Sequence, residues 1–136
     1  MAVDPKIFRK IEQFRNFHPA TLEELSKTAL VADCKKGETI FSVGDCDEKE
    51  VFLVYGSVRL HSTDNHTIII NQNDPEAKFG LSSIKPRRYT AIADSYNTCV
   101  MYIHDKILSY LIKKNKEQHQ YGIYSEIIPD RRTKQR

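Results

Sequence analysis

The sequence predicts a mainly β fold, a sandwich, barrel or roll, with helices flanking it at both ends. Three observations predict it. From Val31 to Ile103 short apolar runs alternate with turn residues at regular spacing, as many short strands require. Before Leu30 and after Asp105 the apolar residues recur at helical spacing instead. Gly37, Gly44 and Gly56 stand between the apolar runs, where tight turns between strands need the positive φ that glycine adopts at little cost.

In chain order, Ile7, Phe8, Ile11, Phe14 and Phe17 predict a short amphipathic helix over 5–17. Thr21 and Glu24 have capping-box spacing, so a second helix is expected to start at Thr21 and run to about Leu30, with Leu22, Leu25 and Ala29 inward. Strands are expected at Thr39–Phe41, Val51–Tyr55, Ser57–His61, Thr67–Ile70, Tyr89–Ala93 and Cys99–Ile103. Thr63-Asp64-Asn65 should close a hairpin. Asp105 should cap a helix carrying Ile107, Leu108, Leu111 and Ile112. A further amphipathic helix is expected over Tyr121, Ile123, Tyr124, Ile127 and Ile128, ending before Pro129.

With 136 residues, 40% apolar and 29% charged, the chain suits one globular domain and argues against disorder. The expected division is a helical lead over 5–30, a β region over 31–104, C-terminal helices over 105–128 and a basic tail over 129–136. Much of the net charge of +3 sits in that tail, Arg131 to Arg136. Such an end reads as a solvated terminus, so no nucleic-acid partner is expected. No apolar run approaches membrane-spanning length, and Met1 to Lys6 does not read as a signal peptide. The chain is therefore expected to be cytoplasmic. Cys34, Cys46 and Cys99 show neither disulfide nor zinc spacing.

The stretch from Lys35 to Leu60, KKGETIFSVGDCDEKEVFLVYGSVRL, carries the three glycines with strands spaced between them. In it the chain resembles the cyclic-nucleotide-binding domain family, the β-roll of catabolite activators and protein kinase A regulatory subunits. The resemblance covers roughly Phe14 to Ile112. It implies a cupin-like double-stranded β-roll (jelly roll) with N- and C-terminal helices. It also implies a phosphate-binding cassette at Phe79 to Asp94, FGLSSIKPRRYTAIAD, where Gly80, Pro86, Arg87 and Thr90 match the family pattern. Arg87 would take the cyclic phosphate by a charge-assisted contact. The ligand-binding set implied is Phe79, Gly80, Leu81, Ser82, Ser83, Arg87, Arg88 and Thr90, with cAMP or cGMP as the ligand. Two departures stand out. Leu81 occupies the place of the ribose-binding Glu, and the segment from Gly80 to Pro86 is about three residues short, so the cassette helix should be shrunken or absent.

Each candidate has a plainer reading. Arg87 would equally pair with an acid across the roll. Arg88 beside it would suit a doubly charged ligand such as a cyclic dinucleotide, but the two side chains should point to opposite faces. Ser82 and Ser83 read as turn polarity, and Thr90 as a β-branched strand residue. His61 and His66 flank the hairpin tip without further ligands, so no metal is expected. His104 and Asp105 have no nucleophile nearby, and the acidic stretch Asp45 to Glu48 reads as a solvated loop.

The leading expectation is a non-catalytic, ligand-sensing module that moves its C-terminal helices when a cyclic nucleotide binds. The competing expectation is a degenerate roll with no ligand, used for homodimerisation or for binding an effector protein. A cupin-type metalloenzyme is a third, and would retain metal. No output segment is expected after Pro129.

Overall fold

The computed structural model describes the backbone of residues 3–127 and the side chains of residues 3–118. The basic run Arg131 to Arg136, Ile128, and the side chains of Tyr121, Ile123, Tyr124 and Ile127 lie outside the described residues.

The N-terminal lead is not the single helix that its spacing predicts. It divides into α1 (Pro5–Phe8) and a 3-10 turn (Glu12–Phe14), with Ile11 extended between them at φ −96° and ψ 124°. The predicted inward set nevertheless points inward: Phe8, Ile11 and Phe14 are buried, and Ile7 and Phe17 pack beside them. Packing explains the break. Phe14 meets Phe8 at 5.9 Å and Phe52 at 5.4 Å, both edge-on. Such ring contacts outweigh the weak local preference for a continuous helix.

The next helix, α2 (Pro19–Thr28), starts earlier than the capping-box reading places it. Pro19 takes the first helical position, where its missing N–H costs nothing. His18 is the cap, its Nδ1 accepting from Ala20 N at 3.1 Å. Thr21 is buried inside the helix, and its hydroxyl donates to Gln118.

Seven strands follow: β1 (Leu30–Cys34), β2 (Thr39–Phe41), β3 (Lys49–Tyr55), β4 (Ser57–His61), β5 (Thr67–Asn71), β6 (Thr90–Ala93) and β7 (Thr98–His104). They form two antiparallel sheets, ordered β1-β7-β3 and β2-β6-β4-β5. Strand alternation sorts their side chains. On β3, Val51 and Leu53 face the other sheet, while Phe52 faces the helices. On β7, Val100 faces inward and Met101 and Ile103 face the helices. β3 and β7 thus bury side chains on both faces of the sheet, which is why Val51 to Val54 reads as an unbroken apolar run, whereas β1 is largely exposed. One core lies between the sheets, around Phe41, Val58, Leu60, Leu81 and Ala91. The other lies between the three-stranded sheet and the helices.

Gly56 closes the β3–β4 turn at φ +87°. A Cβ there would lie 2.4 Å from Asn97 O, so both conformation and space demand glycine.

The C-terminal segment is one helix, α3 (Asp105–Ile127), where the sequence suggests two. Asp105 is not its side-chain cap. His104 Nδ1 accepts from Lys106 N at 3.1 Å, and Asp105 N donates to Glu48 O at 2.9 Å. Leu108 and Leu111 are buried against the core. Asn115 accepts from His18 N at 2.7 Å, and Lys114 pairs with Glu24, tying α3 to α2. Among the described residues no helix is long and apolar enough to cross a membrane.

Candidate functional site

Two loops build the site. One joins β2 to β3 and carries Gly44, Asp45 and Asp47. The other leads from a 3-10 turn (Pro75–Lys78) into β6 and carries the cassette. Backbone hydrogen bonds lace them together. Arg87 N donates to Asp45 O at 2.8 Å, Gly44 N to Arg87 O at 2.7 Å, and Leu81 N to Val51 O at 2.7 Å. Residues 81–89 contain no helix, in keeping with the shortened cassette, and the Lys85–Pro86 peptide is cis.

Arg87 is the centre of the site, and its side chain is fully buried. Nε donates to Asp47 Oδ2 at 3.0 Å and Nη2 to Asp47 Oδ1 at 2.7 Å, a bidentate ion pair. Nη2 also donates to Lys49 O at 2.7 Å. Nη1 donates to Leu81 O at 3.0 Å and Ser82 O at 2.8 Å. A guanidinium has five N–H donors, and all five are accounted for within the chain. Its carbon also lies 4.0 Å from the centroid of the Phe41 ring.

Lys85 completes the cluster. Its Nζ donates to Asp47 O at 2.9 Å, Lys49 O at 3.2 Å and Asp105 Oδ2 at 3.3 Å. Arg87 and Lys85 therefore face Asp47 and Asp105, and these four charges balance. The hydrogen bond from Arg87 holds the Asp47 carboxyl below the usual carboxylate range, against the opposing effect of burial.

The other predicted residues take varied places. Leu81 is buried, 1% exposed, in the core between the sheets. Ser82 has φ 45°, which turns its carbonyl toward Arg87. Ser83 Oγ donates to Glu50 Oε1 at 2.7 Å. A Cβ on Gly80 would sit 2.5 Å from that same carboxylate oxygen. Thr90 Oγ1 accepts from Val43 N at 3.1 Å, so its hydroxyl anchors the first loop. Phe79 and Arg88 are exposed and stand apart from the cluster. The opposite facing expected for Arg87 and Arg88 is observed, although both lie in the loop before β6.

Asp47, Phe41, Lys85 and Glu50 belong to the site without having been singled out in the sequence. The acidic stretch is not simply a solvated loop: Asp45 accepts from Ser42 N at 2.9 Å, and Asp47 grips Arg87. The available signal was Asp47 itself, as the acid across the roll that the plainer reading of Arg87 requires. His61 and His66 are exposed, with partners Thr67 at 2.9 Å and Asp64 at 3.2 Å. Among the described residues no group of three or more His, Cys, Asp or Glu could hold a metal ion.

No protein-family model matches the chain, and no curated protein matches it in sequence. Solved structures do match in shape. A cyclic nucleotide-binding-like protein from Brucella abortus is 23% identical with a TM-score of 0.62, covering 81% of this chain and 97% of its own. The sensor domain of the transcriptional regulator DNR from Pseudomonas aeruginosa is 14% identical with a TM-score of 0.67, covering 97% and 98%. The regulatory subunit of a cAMP-independent protein kinase A from Trypanosoma cruzi, bound to guanosine, is 10% identical with a TM-score of 0.66, covering 79% of this chain and 39% of that one. With two antiparallel sheets forming a roll between N- and C-terminal helices, the chain has the fold of the cyclic-nucleotide-binding domains.

Proposed function

We infer that this chain is a non-catalytic regulatory module whose cassette is held by its own residues, not by a nucleotide. It would act by binding a partner protein or a second copy, with α3 as the element that carries the contact. The single observation behind this reading is that every guanidinium donor of Arg87 already has an acceptor in the chain. A cyclic phosphate would have to displace Asp47. That carboxylate competes intramolecularly, at an effective concentration on the order of millimolar or above. Leu81 adds to the difficulty. It offers no acceptor to a ribose hydroxyl, and an unpaired buried hydroxyl costs about 1–3 kcal/mol, roughly tenfold to hundredfold in affinity. The Trypanosoma cruzi neighbour, described as cAMP-independent and bound to guanosine, supports the idea that this fold serves outside cAMP sensing.

The test is titration with cAMP, cGMP and a cyclic dinucleotide, read by calorimetry and by the Arg87 side-chain NMR resonance. No saturable heat and no movement of that resonance are expected. Saturable binding that moves it would replace this reading with the cyclic-nucleotide sensor implied by the family resemblance. In that case Gly80, Ser82, Ser83, Arg87 and Thr90 would be the residues to substitute next.

A further inference from the structure

A second concavity lies away from the cassette, between the N-terminal lead and the roll. It is a cleft of about 320 Å³ at the end of β3, at the low end of the range for small-molecule sites. Its floor is apolar. Ile11, Leu53 and Ala77 are buried there, with Ile7 and Val54 beside them. β3 is an edge strand, and its register with β7 shifts between Leu53 and Tyr55. That irregularity bends the strand and brings both Leu53 and Val54 to the cleft, although neighbouring strand residues ordinarily face opposite ways.

The rim has one dominant sign. Arg9, Lys10, Arg15 and Lys78 line it. Arg15 is engaged by Glu12 at 2.7 Å. Arg9, Lys10 and Lys78 have no ion-pair partner among the described residues. The acid on the wall, Asp74, is turned to its own loop, where it accepts from Asn71 N at 2.9 Å. Gln72, also on the lining, uses its carbonyl oxygen to accept from Gly56 N at 2.6 Å, which leaves its side-chain NH2 as a donor for a ligand. An apolar floor under a cationic, donor-bearing rim selects a ligand with an apolar body and one anionic head.

We propose that this cleft binds a small amphipathic carboxylate, of the size of a medium-chain fatty acid. The aliphatic body lies over Ile11, Leu53 and Ala77, and the carboxylate lies among Arg9, Lys10 and Lys78. The site uses neither Arg87 nor Asp47, so it is independent of whether the cassette binds a nucleotide. Its wall includes the 3-10 turn Pro75–Lys78, which runs straight into Phe79 and Gly80, so an occupant would bear on the segment that leads into the cassette.

The probes are octanoate, octan-1-ol and octylammonium, followed by amide NMR on the whole chain. Octanoate is expected to bind with a dissociation constant at or below about 1 mM and to shift the amides of Leu53, Val54 and Ala77. Octanol should bind several-fold more weakly, and octylammonium more weakly still. The double substitution Arg9→Glu with Lys78→Glu, at exposed positions, should weaken octanoate about tenfold without lowering the melting temperature. Absence of saturable octanoate binding, equal affinity for the three head groups, or shifts confined to another surface would each overturn the proposal.

Discussion

Asp47 and Arg87 lie 40 residues apart in the chain and meet as a bidentate ion pair, Nη2 to Oδ1 at 2.7 Å and Nε to Oδ2 at 3.0 Å. The carboxylate occupies the guanidinium edge that a phosphate would otherwise approach. Three backbone carbonyls take the remaining donors. The pair thus serves two ends: it closes the cassette onto the β2–β3 loop, and it neutralises a charge that has no access to water.

Breaking the pair from one side should be costly. Asp47→Ala leaves the buried guanidinium with no counter-charge, and Arg87→Met leaves the Leu81 and Ser82 carbonyls unpaired and Asp47 with only the longer ion pair to Lys85, at 3.7 Å. Each should lower unfolding free energy by about 3–5 kcal/mol. The double variant should lose less than the sum of the two, because the uncompensated charge is removed with its partner. Urea unfolding of the four proteins checks this, and simple additivity would argue against direct coupling.

The pair also predicts an acid-sensitive contribution to stability. The folded pKa of Asp47 lies below its unfolded value. Its contribution is therefore fully present above the unfolded value of about 3.9 and is lost as pH falls through the lower folded value. Chemical denaturation from pH 6 downward should show the stability gap between the native chain and Asp47→Asn narrowing in the acid range. A gap of constant size would mean that the carboxylate charge does not contribute.

Restoring the family carboxylate should fail. The family resemblance matches Leu81 to the ribose-binding Glu, but in space it is a core residue. Leu81→Glu should destabilise by about 3 kcal/mol or more, since an unpaired carboxylate would enter an apolar core. Calorimetric titration with cAMP should show no gain in binding. A stable, cAMP-binding Leu81→Glu variant would show that Leu81 can turn outward.

The three turn glycines should differ in their response to alanine. All have φ near +90°, but an added Cβ meets nothing within 4 Å at Gly37 or Gly44. At Gly56 it meets Asn97 O at 2.4 Å and Thr98 Cα at 2.8 Å. Gly37→Ala should cost about 1–2 kcal/mol from conformation alone. Gly56→Ala should cost more than that, and the chain should fold poorly. Melting temperatures rank the two.

Thiol reactivity should be selective. Burial, aided by Asp33, pushes the Cys99 pKa up to about 11, and burial likewise raises that of Cys34. At pH 8 only roughly a thousandth of Cys99 would be thiolate. Cys46 is exposed. One thiol should therefore be alkylated well before the others by iodoacetamide, and peptide mass analysis should find it at Cys46.

The strands from Thr39 onward were legible because their signals are local. Apolar runs of strand length, ended by Gly37, Gly44, Gly56 or the Asn71–Pro75 break, need no distant information. The two departures in the cassette, Leu81 and the short Gly80–Pro86 segment, were equally plain as positions in a string. The helical lead was less legible. Its inward residues could be named from spacing, yet its division into α1 and a 3-10 turn depends on where Phe8 and Phe14 meet Phe52, a residue on another element. The start of α2 shifted for a similar reason: Thr21 has a long-range partner in Gln118 that a capping rule cannot see.

By itself the sequence determined the β-roll with its flanking helices and the turn glycines, and its family resemblance pointed to Arg87 and Leu81 as the positions to inspect. Only the tertiary structure decided what that arginine does. A side chain's partner is chosen among groups brought together by the whole fold, and loop residues far apart in sequence carry no periodic pattern to announce the meeting. Asp47 reads as one acid in a polar stretch until the sheets bring the β2–β3 loop under Arg87. Desolvation then makes the pairing obligatory, because a buried guanidinium without a counter-charge would not be tolerated.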